Sequence, residues 1–264
     1  MRILVVNWLD RENPLAGGAE IHLHETFSRM VQLGHEVTLL TSGWSHSTPR
    51  ADLDGISIHR TGTRYTFSFA AVTYYLRHLS HESFDVVVED LNKVPLFTPC
   101  WTRSKIVLLV HHLFGLTAFE EAMIPVASAT WLLERPIPWI FSKTPTVAVS
   151  ESTKEDLVNR GLRPEQIEVI PNGIDLGWYT PHPNDTRTED PTVLYVGRLK
   201  KYKRVDLLLH TVDKLAQQGV KVRLKIAGTG ADRGRLESLS IKLGITDQVD
   251  FMGYVSEERK LELF

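Results

Sequence analysis

Short apolar runs of strand length alternate along the chain with stretches whose apolar residues recur every three or four positions. That alternation predicts an α/β fold built on a mostly parallel sheet. Residues 3–6 read as a buried strand and Gly17-Gly18-Ala19-Glu20 as a tight loop. A helix then carries Leu23, Phe27, Met30 and Val31 on one side and ends near Gly34, a residue type suited to a C-terminal cap. Further strands are predicted at 37–40, 56–59, 86–88, 106–110, 146–149 and 168–170. Helices are predicted at about 70–79, 118–133 and 153–159, the last opened by a Ser152-x-x-Glu155 capping box.

Residues 180–191 are polar, rich in proline and without period, and they read as a linker. Beyond them the opening architecture returns. A strand at 193–196 runs into Gly197-Arg198. A helix follows with Val205, Leu208, Leu209, Val212, Leu215 and Ala216 on one face, and a strand at 222–227 leads into Gly228-Thr229-Gly230. Two Rossmann-like domains are therefore expected, at 1–180 and 181–264. Only three strands are visible after the linker, and the last helix still runs at Phe264. A doubly wound half carries about five or six strands. The second domain reads as incomplete and the sequence as part of a longer one; a small natural lobe is the alternative.

Composition narrows the partners. The 264 residues are 42% hydrophobic and 23% charged, with a formal net charge of -2, so nothing global draws the chain to nucleic acid and a basic site must be local. A single cysteine, Cys100, excludes an internal disulfide framework and a cysteine-rich zinc site. Asn7 and Asp10 interrupt the first apolar run too early for a signal peptide, and no stretch reaches the roughly 18 uncharged apolar residues that a membrane span needs. A cytoplasmic protein is expected.

Five segments, in order, carry a resemblance: Gly17-Gly18-Ala19-Glu20, Val149-Ser150-Glu151-Ser152, Pro171-Asn172-Gly173-Ile174-Asp175, Val196-Gly197-Arg198-Leu199 with Lys203, and Ile226-Ala227-Gly228-Thr229-Gly230. Weak singly and strong together, they resemble glycosyltransferase family 4. The resemblance implies a GT-B fold, two doubly wound domains facing a cleft, with acceptors on the first and a nucleotide-diphosphate sugar on the second. It implies transfer to a hydroxyl of a glycan, lipid-linked or small-molecule acceptor with retention of anomeric configuration, and neither metal nor cofactor. The family's glutamate pair, with seven residues between its members, is absent; Glu12 and Glu20 share its spacing by coincidence. Without that pair the chain itself is expected to be inactive.

Departure of a diphosphate builds negative charge, which fixed cations stabilise more in the transition state than in the ground state. Arg198, Lys200, Lys201, Lys203 and Arg204 form a basic run expected at the start of a helix. Such a run is ordinarily a solvated face, but this one follows the carboxyl end of a buried strand, where α/β sheets bind ligands. Arg198 and Lys203 match the family's phosphate pair, the first a fork and the second a point charge. His111 closes the apolar strand and matches, by register, the family's cleft histidine, which bonds the donor sugar; His112 is the alternative, and a structural pair is the other reading.

Gly17 and Gly18 suit close backbone approach or positive φ. Asn172 and Gly173 suggest a tight turn at the domain junction. Ser150 could line the cleft, Gly197, Gly228 and Gly230 would let backbone pass near the donor, and Glu20 and Asp175 are weak acid–base candidates. The aromatic segments 65–69 and 131–141 are buried helices or, for a lipid-linked acceptor, a peripheral contact at the inner face of a membrane. Two other readings stand beside transfer: a nucleotide-sugar epimerase on the same fold and a non-catalytic nucleotide-sugar-binding fragment. An NAD enzyme is disfavoured, because Gly-x-Gly-x-x-Gly is absent after the first strand.

Overall fold

A computed structural model describes residues 1–180, 188 and 190–264. The chain forms two compact units, Met1–Gly173 and Ile174–Phe264. Most of the stretch expected as a linker, at 181–187 and 189, lies outside the described residues.

The first unit runs β1 (Arg2–Val6), α1 (Gly18–Gln32), β2 (Glu36–Ser42), β3 (Arg50–Leu53), β4 (Ile56–Thr61), α2 (Phe67–Tyr74), β5 (Val86–Leu91), β6 (Lys105–Val110), α3 (Ala118–Glu121), α4 (Ile124–Glu134), α5 (Ile137–Ile140), β7 (Thr146–Ala148), α6 (Glu151–Asn159) and β8 (Ile167–Val169). Its sheet has the order β3-β4-β2-β1-β5-β6-β7-β8. Every pairing is parallel except β3 with β4. The chain winds outward from β1 in one direction through β2 and in the other through β5, so the order reverses between β1 and β5. At such a switch point a crevice opens beyond the carboxyl ends of the strands.

Side chains alternate between the two faces of a strand, and the core divides accordingly. Leu4, Val6, Leu40 and Val87 pack on one face with Phe67, Ala71 and Leu79. Ile3, Val5, Leu39, Val88 and Leu109 pack on the other beneath Leu23 and Phe27 of α1.

The second unit contains β9 (Thr192–Val196), α7 (Val205–Gln217), β10 (Arg223–Ala227), α8 (Arg233–Leu243), β11 (Val249–Gly253) and α9 (Glu257–Leu263). Its parallel sheet has the order β11-β10-β9. Leu199, Val205, Leu209, Val212, Leu224, Ile226 and Leu236 form its core.

Four expectations need correction. The apolar stretch at 118–133 is two helices, because Ala122 is extended (φ -135°, ψ 160°) and Pro125 sits in the first turn of a new helix, where its missing N–H costs nothing. The cap of α6 is Ser150, whose Oγ accepts from the Thr153 amide at 3.2 Å, not Ser152. The basic run precedes α7 and does not open it: Lys201–Lys203 is a 3-10 turn and Arg204 is left-handed (φ 51°) before Val205. The turn expected at Asn172-Gly173 lies further on, where Asp175 Oδ1 accepts from the Gly177 amide at 2.8 Å and its carbonyl from Tyr179 at 2.8 Å.

Burial makes one prediction. His22, His24 and His59 are held below the ordinary imidazole range, first by desolvation. A group with a depressed folded pKa stays neutral in the fold while the unfolded chain takes up a proton. Their contribution is therefore complete above pH of about 6.5 and is lost as pH falls below it. Buried Glu89 and Asp90, pushed upward by desolvation, act in the opposite sense. The test is a difference: denaturant midpoints should fall more from pH 7.5 to 5.5 in the wild type than in His24→Gln. Equal slopes would refute the assignment.

Candidate functional site

In the first unit the candidate residues gather at the switch point. By alternation, Asp90 follows Val88 and His111 follows Leu109 onto the face that α1 covers. The parallel register continues through the His111 amide, which donates to the Leu91 carbonyl at 3.1 Å. Asp90 is fully buried at its side chain, and Oδ1 lies 2.9 Å from Nε2 of His111, which is 7% exposed. That contact is close but bent away from hydrogen-bond alignment, so neither Asp90 oxygen has an aligned partner. His22 of α1 stands edge-on to His111, with centroids 5.2 Å apart. Desolvation raises the Asp90 carboxyl, and His111 and His22 pull it back. Desolvation lowers His22, and His111 lowers it further.

Two buried carboxylates hold the loops around this cluster. Glu89, on the other face of β5, accepts from the amides of Leu96 (2.6 Å), Phe97 (3.2 Å) and Thr98 (2.8 Å) and from Thr98 Oγ1 (2.7 Å). Glu134 accepts from the amides of Phe114 (2.7 Å) and Gly115 (2.9 Å) and from Arg160 (3.0 Å), which pins the segment leaving His111. Thr153 Oγ1 donates to the His111 carbonyl at 3.2 Å, so the helix that Ser150 caps also steadies His111. His112 is exposed and stacks edge-on with Phe114.

The Gly17-Gly18 loop departs from expectation. Neither residue has a positive φ, and a Cβ on Gly18 would meet nothing within 4 Å. The Gly17 amide is already used: it donates to Glu20 Oε2 at 2.6 Å, while Oε1 accepts from Asn92 Nδ2 at 2.8 Å. Glu20 is thus a cap that ties α1 to the end of β5, which accounts for it without acid–base chemistry. Glycine at 18 answers no demand of the chain's own backbone. Gly173 likewise has open space around a Cβ.

In the second unit Gly197 and Arg198 leave the carboxyl end of β9, and Gly228 to Gly230 leave that of β10. The two loops run together: the Gly197 amide donates to the Ala227 carbonyl (3.0 Å), Leu199 to Thr229 (2.9 Å) and Asp232 to Leu199 (3.1 Å). Arg198 and Lys203 are both exposed on this side of the sheet, between β9 and α7, and Lys203 lies over the Tyr202 ring at 5.1 Å. Arg204 turns instead to Asp206 at 3.3 Å.

Asp90 and His22 are the site residues that the sequence reading missed. The signal was a carboxylate inside an apolar strand, on the same face as a histidine one strand away. Among the described residues no group of three or more His, Cys, Asp or Glu side chains could hold a metal ion, and no helix is long and apolar enough to cross a membrane.

Residues 16–178 match the model of Glycosyltransferase Family 4, and residues 180–264 match that of glycosyl transferases group 1. The chain is 24% identical over 93% of its length to the phosphatidylinositol N-acetylglucosaminyltransferase gpi3 subunit of Schizosaccharomyces pombe, covering 55% of that protein. It is 25% identical over 100% of its length to a glycogen synthase of Mycobacterium tuberculosis, covering 70% of that protein. The chain spans about half the length of the phosphatidylinositol N-acetylglucosaminyltransferases it matches. Among solved structures, Anabaena HepE in complex with UDP and glucose superposes with a TM-score of 0.70 at 16% identity, covering 99% of this chain and 71% of that one. WaaG, a glycosyltransferase involved in lipopolysaccharide biosynthesis, gives 0.70 at 17% identity, covering 98% and 72%. The α/β fold with parallel sheets is that of GT-B glycosyltransferases, and the chain belongs to glycosyltransferase family 4.

Proposed function

We propose that the full-length protein is a retaining glycosyltransferase that moves a sugar from a nucleotide-diphosphate donor to an acceptor hydroxyl. The observation that carries this reading is the placement of Arg198 and Lys203, exposed beyond the carboxyl end of β9, in a chain matched along its length by family 4 and group 1. The bond from the sugar's anomeric carbon to the diphosphate oxygen breaks, and a bond from that carbon to the acceptor oxygen forms on the same face. The acceptor's proton passes to the departing diphosphate oxygen, so no enzymic nucleophile is required. Arg198 and Lys203 take the growing charge, and His111 meets a sugar hydroxyl. HepE is described with UDP and with UDP-glucose, which supports a nucleotide-sugar donor here. No metal or cofactor is assigned a step.

The test is to incubate the full-length protein with UDP-sugars, with and without glycan or lipid-linked acceptors. Nucleoside diphosphate should be released when an acceptor is supplied, and the product's anomeric configuration should match the donor's. An inverted product would reject retention. Interconversion of the donor sugar without an acceptor would favour the epimerase.

A further inference from the structure

Asp90 is a buried carboxylate without an aligned hydrogen bond. A carboxylate removed from water must recover its hydration from partners, or it loses several kcal/mol. Glu89, next to it, recovers its loss through four donors that shape a loop. Asp90 shapes nothing: its side chain is 0% exposed, and the group it faces is Nε2 of His111, 2.9 Å away. Around it stand His22 from α1 and Glu20, which precedes His22 on the same helix and is held by Asn92 and Gly17. Five buried atoms of this cluster lack an aligned bond: both oxygens of Asp90, Nε2 of His111, Nδ1 of His22 and Oδ1 of Asn92. Such groups collect where a function needs them more than the fold does.

An imidazole whose one nitrogen faces a carboxylate keeps its proton there, which leaves the other nitrogen as an acceptor. His111 Nδ1 has no hydrogen bond among the described residues and is not among the buried unpartnered atoms. We propose that Asp90 is a positioning residue for sugar transfer. It holds His111 with its proton on Nε2, so that Nδ1 is presented as an acceptor for a hydroxyl of the sugar, while the ring of His22 stops the imidazole from turning. The inference rests on the transferase reading for its consequence, but its geometry can be read without turnover.

The experiment uses full-length protein labelled with 15N in histidine, with the His111 signals assigned by their loss in His111→Gln. The wild type should show the Nε2–H tautomer at neutral pH, and Asp90→Asn should mix the tautomers. In the same variant kcat/KM for the donor should fall about 10- to 100-fold, the size of one hydrogen bond to the sugar left unmade. Asp90→Asn should add nothing further in a His111→Gln background. An Nδ1–H tautomer in the wild type would overturn the proposal even if the variant failed to fold, and so would an unchanged tautomer and kcat/KM in Asp90→Asn. An Nε2–H tautomer lost in the variant, in a protein that transfers no sugar at all, would support the positioning and reject the transferase reading instead.

Discussion

Replacing Arg198 or Lys203 by alanine in the full-length protein is expected to lower turnover by about 10²–10³ while the fold persists. Both side chains are exposed, so their removal opens no cavity. The loss arises because charge on a leaving diphosphate grows only as the glycosidic bond breaks. A cation already fixed there stabilises that charge without reorganisation. Arg198→Lys should recover part of the loss, since one point charge replaces a fork that can bond two phosphate oxygens. Lys214→Ala, which removes an exposed cation from the last turn of α7, is the control for charge alone. Steady-state kinetics with circular dichroism on the same samples would decide. Turnover within a few-fold of normal in both alanine variants, or an equal loss in Lys214→Ala, would remove the phosphate role from these residues.

What was legible in the sequence follows from how the signal is carried. Buried parallel strands announce themselves as unbroken apolar runs, and nearly every one was placed within two residues, because burial on both faces leaves no polar interruption. The edge strand β3 was missed for the complementary reason. Arg50-Ala51-Asp52-Leu53 is half exposed and its alternation is short. Its best mark lay in the turn, where Asp54 (φ 55°) and Gly55 (φ 79°) form the Asp-Gly pair that suits a two-residue hairpin. Helix α8 was missed although Leu236, Leu239 and Leu243 recur at helical spacing before a left-handed Gly244.

The site was legible only in part. Motifs pointed to the cations and glycines, whose proposed role follows from position after a strand. Nothing local identified Asp90, because its meaning depends on β5 and β6 lying side by side, and the sequence does not state that pairing. Glu20 shows the reverse failure. Three residues beyond Gly17 it fits a cap and an acid–base group equally well, and the bonds to Gly17 and Asn92 show the cap.

The largest effect on stability is expected from Gly228→Ala. Gly228 has φ +146°, a conformation that side chains rarely adopt, and a Cβ there would lie 1.9 Å from the Gly197 carbonyl oxygen and 2.9 Å from its carbon. Relief by sliding is blocked, since the Gly228 amide donates to the Gly253 carbonyl at 2.6 Å and the Gly197 amide to Ala227 at 3.0 Å. The loops would have to part, drawing fully buried Leu199 away from Val205, Leu209 and Ile226. Clash, backbone strain and lost packing together should cost on the order of 4 kcal/mol or more. Gly219→Ala isolates the strain, because Gly219 also has a positive φ (+75°) but a Cβ there would meet nothing within 4 Å; its cost should be about 1–2 kcal/mol. Hydrogen exchange gives the comparison, with the amides of β9 and β10 losing protection in Gly228→Ala and those of β1 and β5 serving as the internal reference. If Gly228→Ala protects β9 and β10 as well as Gly219→Ala does, the two loops are not locked against each other. The placement of Arg198 beside them would then lose its rigid support.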